Sequence, residues 1–241
     1  MAIIKMKLYE AFDIIRNVPY YFTDEEVNEF EFQLTDTNDD EYTLEMYWII
    51  HHMSLPPKNI RHSPEFQKNS YRETCAMLWI RLYGSMPPRE LLHDPSIQNM
   101  LGETCAMLWI LYGKTNIPKE LLHDSKLSNT FNETCAMLWI IFRKTDVPKE
   151  LLHDPKLTST YGHTCAMIWI NNRSNSIQKE LLHDPAFTKD RYGKTCAMMW
   201  ILQKESYPPK ELIHDENVKD ACGCSLSNYC MKLATNINDT A

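Results

Sequence analysis

The residues of this sequence best equipped for chemistry recur in columns. Five cysteines, Cys75, Cys105, Cys135, Cys165 and Cys196, stand 30 or 31 residues apart. Five His-Asp pairs keep step with them: His93-Asp94, His123-Asp124, His153-Asp154, His183-Asp184 and His214-Asp215. Aligned thiols suggest a disulfide or metal ladder, and His beside Asp suggests a base with its orienting acid. Geometry opposes the disulfides. Equivalent atoms on stacked helices lie ~8–10 Å apart, whereas a disulfide needs Cα atoms within ~7 Å. Small, buried, reduced thiols are the simpler reading. Side chains of adjacent residues seldom pair, and fivefold repetition suits scaffolding better than one active centre, so the histidines are expected to cap a helix. Cys222, Cys224 and Cys230 form a looser group, with a Cys-x-Cys spacing outside the usual zinc pattern and no evident fourth ligand. No glycine-rich phosphate loop, Gly-x-Ser-x-Gly or His-Glu-x-x-His occurs. No motif supports an enzyme, and no cofactor or metal is expected. A thiol- or metal-dependent sensor built on the Cys and His columns is the alternative reading.

The columns belong to a longer phrase. Thr104-Cys105-Ala106-Met107-Leu108-Trp109-Ile110 returns as Thr74 to Ile80, Thr134 to Ile140, Thr164 to Ile170 and Thr195 to Ile201. A period in the range of ~20–50 residues signals a stacked repeat array, all-α here because the phrase is helical. Thr104 offers an N-cap hydroxyl, and Cys105 to about Tyr112 are apolar on nearly every side, as an inner helix between neighbours requires. Pro118 suits the first turn of a second helix, with Glu120 at its positive end and His123 at its negative end. Gly102, Asn132, Gly162 and Gly193 share one position before each threonine, which predicts a tight turn with positive φ; Arg72 breaks that pattern.

Three segments follow from this register. Residues 1–42 read as an N-terminal cap, with a helix around Leu8, Ala11, Phe12 and Ile15 and a second start at Asp24-Glu25-Glu26. Residues 43–220 hold one degenerate repeat, opened by Thr43-Leu44-Glu45-Met46-Tyr47-Trp48-Ile49, and five clear ones. Residues 221–241 form a polar capping half-repeat and tail, which an array needs for solubility. The net charge of −7 is uneven: between Asn17 and Pro57 there are ten acids and no Lys or Arg. The acids are Asp24, Glu25, Glu26, Glu29, Glu31, Asp36, Asp39, Asp40, Glu41 and Glu45. Such a segment can guide a basic partner or serve as a solvated cap. An acidic chain argues against nucleic acid as partner. The absence of a long apolar run argues against a membrane, and the lack of a leader-like start makes a cytoplasmic, reducing address the expectation.

The stretch from Asp94 through Gly102-Glu103-Thr104-Cys105-Ala106-Met107 resembles the ankyrin repeat, with its Asp-to-Gly finger followed by Gly-x-Thr-Pro-Leu-His. Cys105 stands where Pro is usual, Met107 where His is usual and Trp109 where a small Ala is usual. The repeat is also three residues short of the common ~33. A shortened second helix, with the tryptophan filling the vacated volume, would account for that. The resemblance spans roughly residues 43 to 235. It implies a helix-turn-helix solenoid that binds another protein, as an inhibitor, effector or adaptor, through finger tips and a concave helix face. The residues at those places are Arg81, Leu82, Leu101, Leu111, Tyr112, Phe131, Ile141, Phe142, Tyr161 and Asn172.

Overall fold

In the computed structural model, the described residues are 6–17, 22–28, 30, 32–66, 69–113, 116–143, 145–172, 176–187, 190–215 and 217–239, with side chains through 235. Glu29 and Glu31 of the acidic segment lie outside them. The chain divides into two units, residues 1–123 and 124–241. Among the described residues all regular structure is helical; strand-like pairing is limited to isolated bridges such as Ser128 to Thr134.

The first unit opens with α1 (Leu8–Asn17) and α2 (Asp24–Asn28). Thr23 and Glu26 cap α2 reciprocally: the Glu26 N–H donates to Thr23 Oγ1 at 3.2 Å, and the Thr23 N–H to Glu26 Oε2 at 2.7 Å. The repeats follow as α3 (Leu44–His52), α4 (Cys75–Tyr83) and α5 (Cys105–Tyr112). α1 packs on α3, α3 on α4 and α4 on α5. Ala11, Phe12 and Ile15 of α1 join Leu44, Trp48 and Ile60 in one apolar cluster, so the N-terminal segment covers the first repeat as a cap must.

The second unit contains α6 (Cys135–Phe142), α7 (Cys165–Asn172), α8 (Cys196–Lys204) and α9 (Leu226–Asp239), each packed on the next. Leu226, Tyr229 and Leu233 of α9 cover Met198, Met199 and Ile201 of α8. The repeat helices are about two turns long, too short to persist alone in water, so burial holds them. From Cys105 to Ile110 and from Cys135 to Ile140 every side chain is buried, as the all-round apolar pattern requires.

Each repeat helix begins on its threonine. Thr104 Oγ1 accepts the Met107 N–H at 3.3 Å, and Thr43, Thr74, Thr134, Thr164 and Thr195 repeat the bond. The tryptophans are core or half-buried. The indole N–H groups of Trp48, Trp79, Trp139 and Trp200 donate to the Ser or Thr hydroxyl six residues on, at 3.0–3.1 Å.

The expected second helix is a single 3-10 turn. It spans Arg89–Leu91 and Lys119–Leu121 in the first unit, with Lys149–Leu151, Lys179–Leu181 and Lys210–Leu212 as its copies in the second. Pro118 precedes the turn in extended backbone, at φ −60° and ψ 144°, and Leu122 leaves it extended at ψ 142°. Leu91, Leu121, Leu151, Leu181 and Leu212 are buried, so one leucine per turn anchors it. The extended exit aims the histidine that follows back at its own repeat's threonine, which a continuing helix would not do.

The turn before each threonine has positive φ: Gly102 73°, Asn132 55°, Gly162 77°, Gly193 69°, and also Arg72 at 54° and, in the degenerate repeat, Glu41 at 64°. An organiser three residues earlier fixes it. Asn99 Oδ1 accepts the N–H groups of Leu101 and Glu103, both at 2.9 Å, and Asn129 repeats this for Phe131 and Glu133. Ser159, Asp190 and Asp220 hold the same place. Neighbouring fingers are joined by backbone. The Met100 N–H donates to the Tyr71 carbonyl at 2.9 Å, and in the second unit Thr160 donates to Phe131 and Ala221 to Tyr192, each at 2.8 Å.

Candidate functional site

The His columns do not cap a second helix. In the first unit, Nε2 of His62, His93 and His123 lies 3.0, 2.7 and 2.8 Å from Oγ1 of Thr43, Thr74 and Thr104. In the second, His153, His183 and His214 stand 2.7, 2.9 and 2.7 Å from Thr134, Thr164 and Thr195. Nδ1 of His93 lies 2.7 Å from the Asp94 carbonyl oxygen, and His153, His183 and His214 repeat the contact at 2.8–2.9 Å. A carbonyl can only accept, so Nδ1 carries the proton and Nε2 accepts from the threonine hydroxyl. The histidine therefore fixes the N-cap threonine of its own repeat. Burial lowers the pKa of His93, His153 and His183, keeping the imidazole neutral.

The aspartate of each pair orients no base. Asp94 Oδ1 accepts the Ser96 N–H at 2.9 Å, and Asp124 and Asp154 do the same for Lys126 and Lys156. These carboxylates close the following turn. Three of these histidines also near the cysteine of the next repeat: His93 Nε2 to Cys105 Sγ, His153 to Cys165 and His183 to Cys196 are all 3.6 Å. Burial pushes the thiols of Cys105, Cys135, Cys165 and Cys196 up to about 12. A thiol with so high a pKa is a poor nucleophile.

The first junction differs. Glu45, 2% exposed, sits beside His62 and Cys75, and one donor atom from each lies within 4.8 Å of the others. Glu45 Oε2 accepts the His62 N–H at 2.9 Å and is 3.1 Å from His62 Nδ1. His62 Nδ1 is also 3.0 Å from the Ser63 carbonyl, and Nε2 is 3.9 Å from Cys75 Sγ. Burial raises the Glu45 pKa to about 7 and lowers that of His62, so near neutral pH the imidazole is uncharged and the contact is not an ion pair. Burial raises the Cys75 thiol well above its usual range, and the neighbouring Glu45 carboxylate adds to the shift. The cysteine column alone does not disclose this cluster. Its visible signal is Glu45, an acid at the register position that Ala76, Ala106, Ala136, Ala166 and Ala197 occupy in the other repeats.

The residues assigned to finger tips and the helix end sort by exposure. Leu82, Leu101 and Tyr112 of the first unit, and Phe131, Phe142 and Tyr161 of the second, are 40–53% exposed. Asn172 is exposed, whereas Leu111 and Ile141 are half-buried beneath their neighbours. Arg81 is engaged within the chain. Its Nε and one terminal nitrogen donate to the two oxygens of buried Glu73 at 2.8 and 2.9 Å, and Asn69 donates to the same carboxylate. Such a bidentate pair holds its two partners in one geometry. Among the described residues no helix is long and apolar enough to cross a membrane. No protein-family model matches this chain, and no curated protein matches it.

Proposed function

We propose that this repeat array is a non-enzymatic, ankyrin-like module that binds another protein through its finger tips and the C-terminal ends of its repeat helices. The observation behind this reading is a separation of roles within each repeat. The Thr-Cys-Ala-Met frame is buried, while the finger position of all five clear repeats and the helix-end position of three hold large apolar side chains in the open. In the first unit these are Tyr71 and Leu101 on fingers with Leu82 and Tyr112 on helices; in the second, Phe131, Tyr161 and Tyr192 with Phe142. Aromatic side chains on a rigid support make good anchors for a partner. The ankyrin likeness rests on the finger with its positive-φ residue, followed two residues later by the capping threonine. The single 3-10 turn in place of a second helix sets this array apart.

The partner expected is a polypeptide with apolar side chains and a basic flank. Asp39, Asp40 and Glu41 line a cleft with Tyr42 and Ser70, next to the finger residue Tyr71. Acids at such a rim act chiefly on association rate and on salt dependence. The test uses two double variants, one in each unit: Leu101→Ala with Tyr112→Ala, and Phe131→Ala with Phe142→Ala. A protein captured by the parent chain is purified, and its affinity for each variant measured. Loss of about tenfold or more in either variant, with unchanged circular dichroism, supports the reading. Unchanged affinity in both, with loss on neutralising Asp39, Asp40 and Glu41, would move the site to the N-terminal segment.

A further inference from the structure

Glu45 is the departure that calls for an explanation. The alanines at its register position are 0–1% exposed, and a carboxyl group buried in their place is costly unless it is partnered. Its partners are His62 and Cys75. We propose that Glu45, His62 and Cys75 form a binding site for one zinc ion, or a divalent ion of the same borderline-soft class.

The donors are one oxygen, one nitrogen and one sulfur, with atoms within 4.8 Å of one another. Zinc bonds of ~2.0–2.3 Å set tetrahedral donors roughly 3.5 Å apart, so the three groups, with Glu45 Oε2 now 3.1 Å from His62 Nδ1, draw together on the ion as it binds. The imidazole is set as in metal-bound histidines. Nδ1 faces the Ser63 carbonyl at 3.0 Å, which leaves the Nε2 lone pair on the side of Cys75 Sγ, 3.9 Å away. Thr43 Oγ1, 3.0 Å from Nε2, adds an oxygen at the edge of the site, and the fourth position falls to it or to water. Nitrogen and sulfur donors disfavour magnesium and calcium.

Charge singles out this junction. A carboxylate and a thiolate together neutralise a dication in a dry site. The junctions at His93, His153 and His183 offer the same imidazole and thiol, but a methyl group where Glu45 has its carboxyl. A thiolate alone would leave a net positive charge buried there. Loading the first junction displaces to solvent the Cys75 thiol proton, and the Glu45 proton wherever the carboxyl still holds one, and the Thr43 hydroxyl turns its hydrogen from Nε2.

The experiment loads the full chain with zinc, removes free ion by desalting and measures bound metal. Cobalt loading reads the donors, since a thiolate ligand adds a charge-transfer band in the near ultraviolet. The parent is expected to hold one zinc per chain and to show that band. Glu45→Ala, which installs the residue of every other repeat and so favours folding, is expected to weaken zinc binding at least about tenfold, as is Cys75→Ser. Cys105→Ser and the triple variant Cys222→Ser, Cys224→Ser, Cys230→Ser are expected to keep it. A parent chain without zinc overturns the proposal. So does zinc that survives Glu45→Ala in a folded protein, or zinc lost only in the triple variant.

Discussion

Thr134 and His153, 19 residues apart in sequence, meet at 2.7 Å between Oγ1 and Nε2. The same threonine oxygen accepts the Met137 N–H at 3.4 Å, so one buried hydroxyl serves a helix start and an imidazole. That bond ties the end of the repeat to its beginning. It explains how a repeat with one α-helix and one 3-10 turn keeps its geometry without a second full helix.

Removing either partner should therefore cost more than an ordinary cap. Thr134→Ala deletes the cap and leaves the His153 ring with an unmet acceptor, and a loss of about 2–3 kcal/mol is expected. Thr134→Ser keeps the hydroxyl and should cost under about 1 kcal/mol. Urea unfolding of the two variants distinguishes them. Equal losses would mean that the methyl group, not the hydrogen bonds, carries the effect.

Acid should weaken the fold through the same residues. His93, His153 and His183 have folded-state pKa values below the ordinary histidine value because burial disfavours the charged ring. The unfolded chain then binds more protons as pH falls. Their contribution is complete above the unfolded value of ~6.5 and is lost as pH drops through the lower folded values. Glu45 pulls the other way, since its raised pKa favours the fold at low pH, and a Glu45→Ala background removes it. In that background the urea midpoint should fall steadily from pH 7 to pH 5. His153→Asn should make the decline shallower.

Among the five clear repeats, Arg72 is the one residue other than Gly or Asn to hold the positive-φ place of the finger turn, at 54°. A side chain there costs roughly 1–2 kcal/mol, and glycine returns only part of that through the freedom of the unfolded chain. Arg72→Gly should thus stabilise the protein by about 0.5–1 kcal/mol. Gly162→Ala, at φ 77°, should destabilise it by a similar amount. Thermal or urea midpoints moving in the same direction for both variants would contradict the account.

Thiol reactivity should divide the eight cysteines. Cys75, Cys105, Cys135, Cys165 and Cys196 are buried, Cys224 and Cys230 partly so, and Cys222 exposed. A thiol reagent added to folded protein should react at once with Cys222 and leave the buried five until denaturant is added. Mass spectrometry after brief labelling identifies the sites. Rapid labelling of Cys105, Cys135 and Cys165 would place the column at the surface and favour a thiol sensor.

Sequence by itself determined the repeat, its period and its helix starts, because these depend on local chemistry. Thr caps, an apolar run fills the next two turns, and Gly or Asn marks the positive-φ turn; each signal sits within a few residues. The buried column Cys105, Ala106 and Met107 was legible for the same reason. Tertiary structure decided what depended on residues far apart in the chain. His153 reads locally as the end of a second helix, yet the extended exit from the 3-10 turn sends it to Thr134. Arg81 reads as a surface contact, yet buried Glu73 holds it with two hydrogen bonds. Glu45, His62 and Cys75 come from three segments and two successive repeats, and only the stacking of α3 and α4 brings an acid, an imidazole and a thiol to one buried point.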